Sequence, residues 1–466
     1  MTPPSSVARR LARFVRGLAL DSIPAAVTDR AALLALDTLG SVLASSTMEF
    51  GHAVVAAAAR LGGPPESTLP GAGDKVGAAS AVLAGGTLAH GLDFDDTRED
   101  AIVHTGSATV PTAIAAGEAA GADGAAVVEA IVAGVEVMCR VGLAVPGRFH
   151  ARHFHPTAVT GTYGAAAVTG KLYGLTEDEL VRAFGICGSQ SAGIIEYLAD
   201  GSWTKRLHPG WAAHAGVVAV MLAQSGFTGP ESVFEGEHGF FAALAGGHDR
   251  ARLEALLATL GTTWELQALT FKPYPCGSIA HPYMDCALRL REEHRLDPGA
   301  IAEVRCRTAA GPVPRLWEPL AAKHRPPNGY AAKFSLPYLL AVILVKGRAG
   351  LAEFADEAVR DPAVLDVAAR VRYDLDATID YPRQFVGDVT VRTTDGRTLH
   401  AHQDHPRGGA ASPLTADELE AKFRGNARLA LPEAAIDPLI EGVRQLAKAP
   451  DLGAVVHGLR SAAKGD

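Results

Sequence analysis

The chain has 466 residues, 48% of them hydrophobic and 20% charged, which is the balance of an ordinary globular protein with room for about two to three domains. A formal net charge of −8 argues against a nucleic-acid partner and turns attention to small molecules. If such a molecule is anionic, locally clustered Lys, Arg and His must hold it. Five scattered cysteines, Cys139, Cys187, Cys276, Cys286 and Cys306, form no paired framework and suit a reduced, cytoplasmic setting. The spacing of Cys276, His281, Asp285 and Cys286 matches no zinc pattern, and no metal is assigned.

Arg9, Arg10, Arg13 and Arg16 superficially suggest a targeting peptide, but Leu11, Phe14, Val15 and Leu18 recur at helical intervals and predict a first helix. Helical patterning continues from Ser6 to about Leu260, as in Ala32–Ala44 and Ala125–Leu143. A capping box at Thr176–Glu179 precedes Leu180–Cys187. After Phe271–Pro275 the pattern changes, and Ile301–Thr308 alternates as a strand. Lys333–Val345 and Leu351–Ala369 read as helices, Arg370–Tyr373 as another strand, and Asp388–His400 as a hairpin around Asp395-Gly396. Helix resumes behind a second capping box, Thr415–Glu418. The expected fold class is mainly α. A large, discontinuous all-helical domain takes residues 1–268 and 410–466, and a smaller α+β lid domain takes 269–409. The longest apolar stretch, near Leu336–Val345, is about half the roughly 20 residues of a membrane span, so no membrane partner is expected.

Four polar clusters interrupt these helices. In the first, His90–His104, eight of fifteen positions are ionisable, whereas Ala79–Ala89 and Ala108–Ala120 carry only Glu118. Carboxylates and imidazoles at helix ends can move protons, although a solvated turn accounts for the charges equally well. The second, Arg148–Thr157, sets three imidazoles before a small-residue helix, and a helix start with cationic neighbours is an anion site. His155, beside the helix-opening Pro156, is the one aimed at a ligand, while His150 and His153 read as surface residues. The third, Asp200–His214, holds Lys205 and Arg206 between a Gly-Ser turn and an Ala-rich helix; adjacent side chains diverge, so one of the pair faces a given cavity. The fourth, Phe271–Pro282, brings His281 to the junction of the two halves, where it serves either a ligand or a stiff linker. Dinucleotide, P-loop and nucleophile-elbow motifs are absent, so any chemistry rests on side-chain acids, bases and anion donors.

The strings HGLDFDDT, IVHTGSATVP, FHPTAVTGTYGAAA, KRLHPGWAAHAG, FKPYPCGSIAHPYMD, KFSLPYLLAVIL and SPLTADELEAKFRGNA occur in an order that resembles the MmgE/PrpD family over nearly the whole chain. That family includes 2-methylcitrate dehydratases, cis-aconitate decarboxylases and iminodisuccinate epimerase. The resemblance implies a homodimer, no cofactor, and a small di- or tricarboxylate as substrate. It implies catalytic roles for His104, His155, Lys205 and Asp93, with Asp93 orienting His104. It implies substrate contacts from Thr97 and Tyr338, to which Arg206 and His281 are added. Relatives that decarboxylate carry a histidine where Cys276-Gly277 stands here, and many relatives read His-Pro-Ser at His104–Ser107. Those departures count against cis-aconitate decarboxylation and leave the substrate open; the leading expectation is a hydro-lyase of the 2-methylcitrate dehydratase kind. The alternatives are an iminodisuccinate-type epimerase, then a decarboxylase, then a noncatalytic carboxylate-binding relative.

Overall fold

The computed structural model describes residues 5–381 and 384–461, and among them helices far outnumber strands. The chain divides into two compact units, one running up to Leu269 and resuming at Thr415, the other Thr270–Leu414.

The first unit opens with α1 (Val7–Gly17), α2 (Ala25–Ser46) and α3 (Glu49–Leu61). A two-stranded ribbon, β1 (Ser67–Thr68) with β2 (Lys75–Val76), leads to α4 (Ala78–His90). Next come α5 (Thr105–Ala120), α6 (Gly124–Leu143), the single turn α7 (Arg148–Ala151), α8 (Pro156–Leu172), α9 (Glu177–Gln190) and α10 (Thr204–Gln224). The capping box expected at Thr176 forms, with Glu179 accepting from the Thr176 amide at 2.8 Å. Helices α4, α5 and α8 are buried almost all round, as expected of Ala- and Gly-rich segments whose small side chains let neighbours approach closely.

Helix α10 packs on α4 and α8, and α5 on α4, α6 and α8. The α4–α10 crossing has no room for a side chain. A Cβ on Gly86 would stand 2.8 Å from the Gly210 Cα, and one on Gly210 would run into the Leu83 carbonyl. This backbone-on-backbone seam fixes the end of α4 against the start of α10. Among the described residues, no single helix is long and apolar enough to cross a membrane.

The second unit carries a four-stranded sheet in the order β4-β3-β5-β6, with β3 (Ile301–Thr308), β4 (Val371–Leu375), β5 (Gly387–Thr393) and β6 (Thr398–Gln403). Strand β3 is parallel to β4 and antiparallel to β5, and β5–β6 is the expected hairpin, turning through Gly396 at φ +89°. The helices His281–Glu293 and Leu336–Lys346 cover it, and all five cysteines of the chain are buried and outside any disulfide. One expected helix fails. Leu351–Ala369 breaks into two single 3₁₀ turns and the helix Pro362–Ala368, because Asp361 caps a fresh start and Pro362 cannot continue an earlier one.

Candidate active site

The segment between α4 and α5 begins as a buried loop that carries the carboxylates of Asp93, Asp95 and Asp96 inside, while Asp100 farther along is exposed. Asp93 is left-handed, with φ +56°, and so is Ile102, a β-branched residue for which that conformation costs energy. Asp96 holds the start of α5. Its carboxylate accepts from the Thr105 amide at 2.9 Å, the Thr105 hydroxyl at 2.8 Å and the Gly106 amide at 2.8 Å. Burial and the neighbouring Asp95 push the Asp96 carboxyl up to about 7, against those donors, which favour the anion. Asp95 accepts from His90 Nδ1 at 2.7 Å, with both side chains inaccessible.

His104 is the N-cap residue of α5. Its Nδ1 lies 2.6 Å from the Asp96 carbonyl, which can only accept, so the ring proton sits on Nδ1 and a neutral ring keeps its lone pair on Nε2. The Thr97 hydroxyl is 3.1 Å from the same nitrogen, and the His104 amide donates to Thr157 Oγ1 at 3.1 Å.

His155 is the N-cap residue of α8, with Pro156 at the first helical position. Its amide donates to the Gly193 carbonyl at 2.9 Å, and Gly193, at φ +136°, accepts no side chain without strain. The His155 ring shares a hydrogen bond with His208, Nδ1 to Nδ1 at 3.0 Å. Burial holds His155 well below the usual imidazole range, helped by His90, Lys205, His208 and His104 around it. His208 is lowered to about 4 for the same first reason, with His90 and Lys205 adding to it. Ring centroids stand 4.8 Å apart for His90 and His104, 5.5 Å for His90 and His155, and 6.2 Å for His104 and His155.

Helix α10 starts at Thr204, earlier than the Ala-rich stretch suggested, so Lys205 and Arg206 lie in its first turn and the helix runs on through Pro209. The two side chains diverge. Lys205 Nζ pairs with Asp93 Oδ1 at 3.2 Å, while the Arg206 guanidinium lies 4.2 Å over the Phe50 ring. Asp93 pairs with Lys205, and the Asp96 carbonyl and the Thr97 hydroxyl both lie within hydrogen-bond distance of His104 Nδ1.

Sequence reasoning thus brings Asp93, Thr97, His104, His155 and Lys205 into one buried neighbourhood. His281 and Tyr338 belong to the second unit. There His281 Nε2 lies 3.1 Å from the Cys276 carbonyl, and the Tyr338 hydroxyl donates to the Glu353 carbonyl at 2.7 Å. His153 is exposed and His150 half-buried, as surface residues should be. The sequence reading assigned no role to His90, Asp95, Asp96, His208 or Lys422. Lys422, on the late helix Ala416–Ala427, donates to the Phe94 carbonyl at 2.6 Å, pairs with buried Asp37 at 2.6 Å and sits 3.8 Å over the Phe94 ring.

An imidazole cluster flanked by an ammonium–carboxylate pair has the groups needed to move protons and to meet an anion. Comparison with known proteins identifies the family. The MmgE/PrpD N-terminal domain matches residues 9–253 and the MmgE/PrpD C-terminal domain residues 274–446, and the chain belongs to this family. It is 26% identical to the cis-aconitate decarboxylase of Aspergillus terreus, over 99% of this chain and 97% of that one. It is 26% identical to the human cis-aconitate decarboxylase, over 95% of this chain and 92% of that one. The likeness to these proteins supports a lyase-type enzyme.

Proposed function

We propose that the protein is a cofactor-independent lyase that removes a proton next to a carboxylate of a small di- or tricarboxylate. The observation that carries this reading is the gathering of His104, His155 and the Lys205–Asp93 pair in one buried cluster. A carbon acid of this kind is weak, so the site must supply a base and hold the enediolate-like charge that results. His155, kept neutral by its surroundings, is the base. Lys205, held as an ion pair, supplies positive charge rather than a lone pair. His104 acts in its imidazolium form: with Nδ1–H held by the Asp96 carbonyl and steadied by Thr97, it gives its Nε2 proton to the departing hydroxyl and is left neutral. Arg206, His281 and Tyr338 remain proposed substrate contacts. With its proton committed to Glu353, Tyr338 offers a substrate only the lone pairs of its oxygen.

Dehydration of a 2-methylcitrate-like acid is the first reading, supported by Cys276-Gly277 standing where decarboxylating relatives carry a histidine. Decarboxylation of cis-aconitate is the second, favoured by the near full-length likeness to proteins of that name. Loss of CO₂ leaves the same type of carbanion, which takes up a proton from His104 or His155 instead of being formed by one's removal. Purified protein incubated in D₂O with chelator and either 2-methylcitrate or cis-aconitate separates the two. Dehydration generates ultraviolet absorbance without CO₂, and decarboxylation releases CO₂ as the absorbance of cis-aconitate changes. No deuterium uptake and no product from either acid would overturn the proposal.

A second copy of the chain is the proposed partner. Trp203, the N-cap residue of α10, and Leu207 and Trp211 on the helix recur every four residues and stay exposed, an apolar stripe of the kind that marks association surfaces.

A further inference from the structure

One ring nitrogen from each of His90, His104 and His155 lies within 4.8 Å of the chosen nitrogens of the other two, and all three side chains are buried. Each ring is braced from behind. His90 Nδ1 meets the Asp95 carboxylate at 2.7 Å, His104 Nδ1 the Asp96 carbonyl at 2.6 Å, and His155 Nδ1 the His208 ring at 3.0 Å. Bracing of this kind orients a histidine that ligates a metal through its other nitrogen. The acceptors facing His90 and His104 also place the ring proton on Nδ1, leaving the lone pair of a neutral ring on Nε2. An independent observation comes from His90, which is 1% exposed and whose Nε2 is buried without a hydrogen-bond partner among the described residues. Such an atom costs free energy unless something binds it.

We propose that His90, His104 and His155 form a binding site for a divalent cation of the zinc and cobalt class, and that its occupancy blocks catalysis. Imidazole nitrogen selects these borderline ions, whereas magnesium and calcium require oxygen ligands. A tetrahedral ion with nitrogens at about 2.0–2.1 Å needs them roughly 3.4 Å from one another, so the rings draw inward by side-chain rotation when the ion enters. His104, 7% exposed, keeps the edge of the cluster within reach of solvent. A bound cation occupies the ring nitrogens through which His104 would give a proton and His155 would take one. The blocking half of the inference rests on the proposed lyase reading; the binding half does not.

The probe is Co²⁺ added to the full-length protein in a metal-buffered solution free of substrate. The expected result is one Co²⁺ per chain with the intense visible d–d bands of a four- or five-coordinate ion, both lost in His90→Ala. Should His90→Ala fail to fold, as judged by circular dichroism, Asp95→Asn replaces it. That variant keeps the three ligands but loses the brace on His90, and its affinity is expected to fall about 10- to 100-fold. Weak octahedral spectra, or bands unchanged in the variant that folds, would overturn the site. For the blocking half, deuterium exchange or turnover should fall in proportion to the d–d absorbance and return on chelation. Full activity with Co²⁺ bound would sink that half alone, while absence of any activity in metal-free protein would count against the lyase reading and leave the spectra to judge the site.

Discussion

Lys205 Nζ and Asp93 Oδ1 stand 3.2 Å apart, joining the first turn of α10 to a left-handed residue in the loop that follows α4. The pair is largely shielded from solvent, with side-chain exposures of 11% and 6%. Removing one partner of a buried pair typically costs about 3–5 kcal/mol. Lys205→Met should therefore lower thermal stability and also reduce turnover by at least about 10²-fold, the lower range for a lost proton-transfer or charge-stabilising group. Adding Asp93→Asn should restore much of the stability and none of the turnover. Thermal unfolding and deuterium exchange into substrate, measured on both variants, check this. Equal melting temperatures for the single and double variants would contradict the pairing.

Acid should weaken the fold through His208. Its folded value is about 4 against an ordinary 6.5, so between those values the unfolded chain binds more protons and stability rises with pH. The contribution is fully present above pH 6.5 and lost as pH falls toward 4. It amounts to roughly 3 kcal/mol from the size of the shift. Asp96, raised from 3.8 to about 7, works in the opposite sense, giving stability at low pH that fades as pH rises to 7. The two slopes overlap, so the informative quantity is the difference between wild type and His208→Gln. Urea unfolding at pH 4.5 and 7.5 should show a variant less sensitive to acid than the wild type.

The glycine seam between α4 and α10 should be intolerant of a single methyl group. Gly210→Ala pushes a Cβ into the Leu83 carbonyl, and the clash falls on backbone, which cannot rotate away. Overpacking of this kind costs typically about 1–3 kcal/mol. Turnover should fall further than that loss of stability accounts for, because the seam holds the ends of both helices that carry site residues. Activity measured at a temperature where the variant remains folded separates the two effects.

Lys422→Met should loosen the Asp93–Thr97 loop from a distance. The substitution leaves Asp37, which is 1% exposed, without its ammonium partner and frees the Phe94 carbonyl. Hydrogen exchange should rise selectively in residues 93–97, and KM should rise or kcat fall although Lys422 takes no part in the proposed chemistry. Unchanged exchange in that loop would show that the clamp is dispensable.

Sedimentation should detect the proposed second copy. Trp211→Glu places a charge in the exposed stripe of α10 and should shift a dimer toward monomer without altering the helix content seen by circular dichroism. A wild-type chain that sediments as a monomer at all concentrations would remove the proposal.

Where local rules decide an element, the sequence was readable. His155 beside Pro156 and Thr157 is the N-cap residue that those types suggested, and Thr176 and Thr415 form the expected capping boxes. The hairpin around Gly396 follows from the need for a positive φ. Pairings across the fold were harder. Nothing in the spelling of Asp93-Phe94-Asp95-Asp96 says which carboxylate meets Lys205, which braces His90 and which caps α5, because two left-handed residues redirect the loop between them. The broken helix after Leu351 was legible in principle, since Asp361-Pro362 is a helix start that the apolar spacing overshadowed.

The contact between Lys422 and Phe94 spans 328 positions of chain. A ribosome delivers the Asp93–Asp96 loop long before it delivers the residue that fastens it. The Asp93–Asp96 loop can therefore be fastened in this way only after Lys422 has been made and its helix has docked.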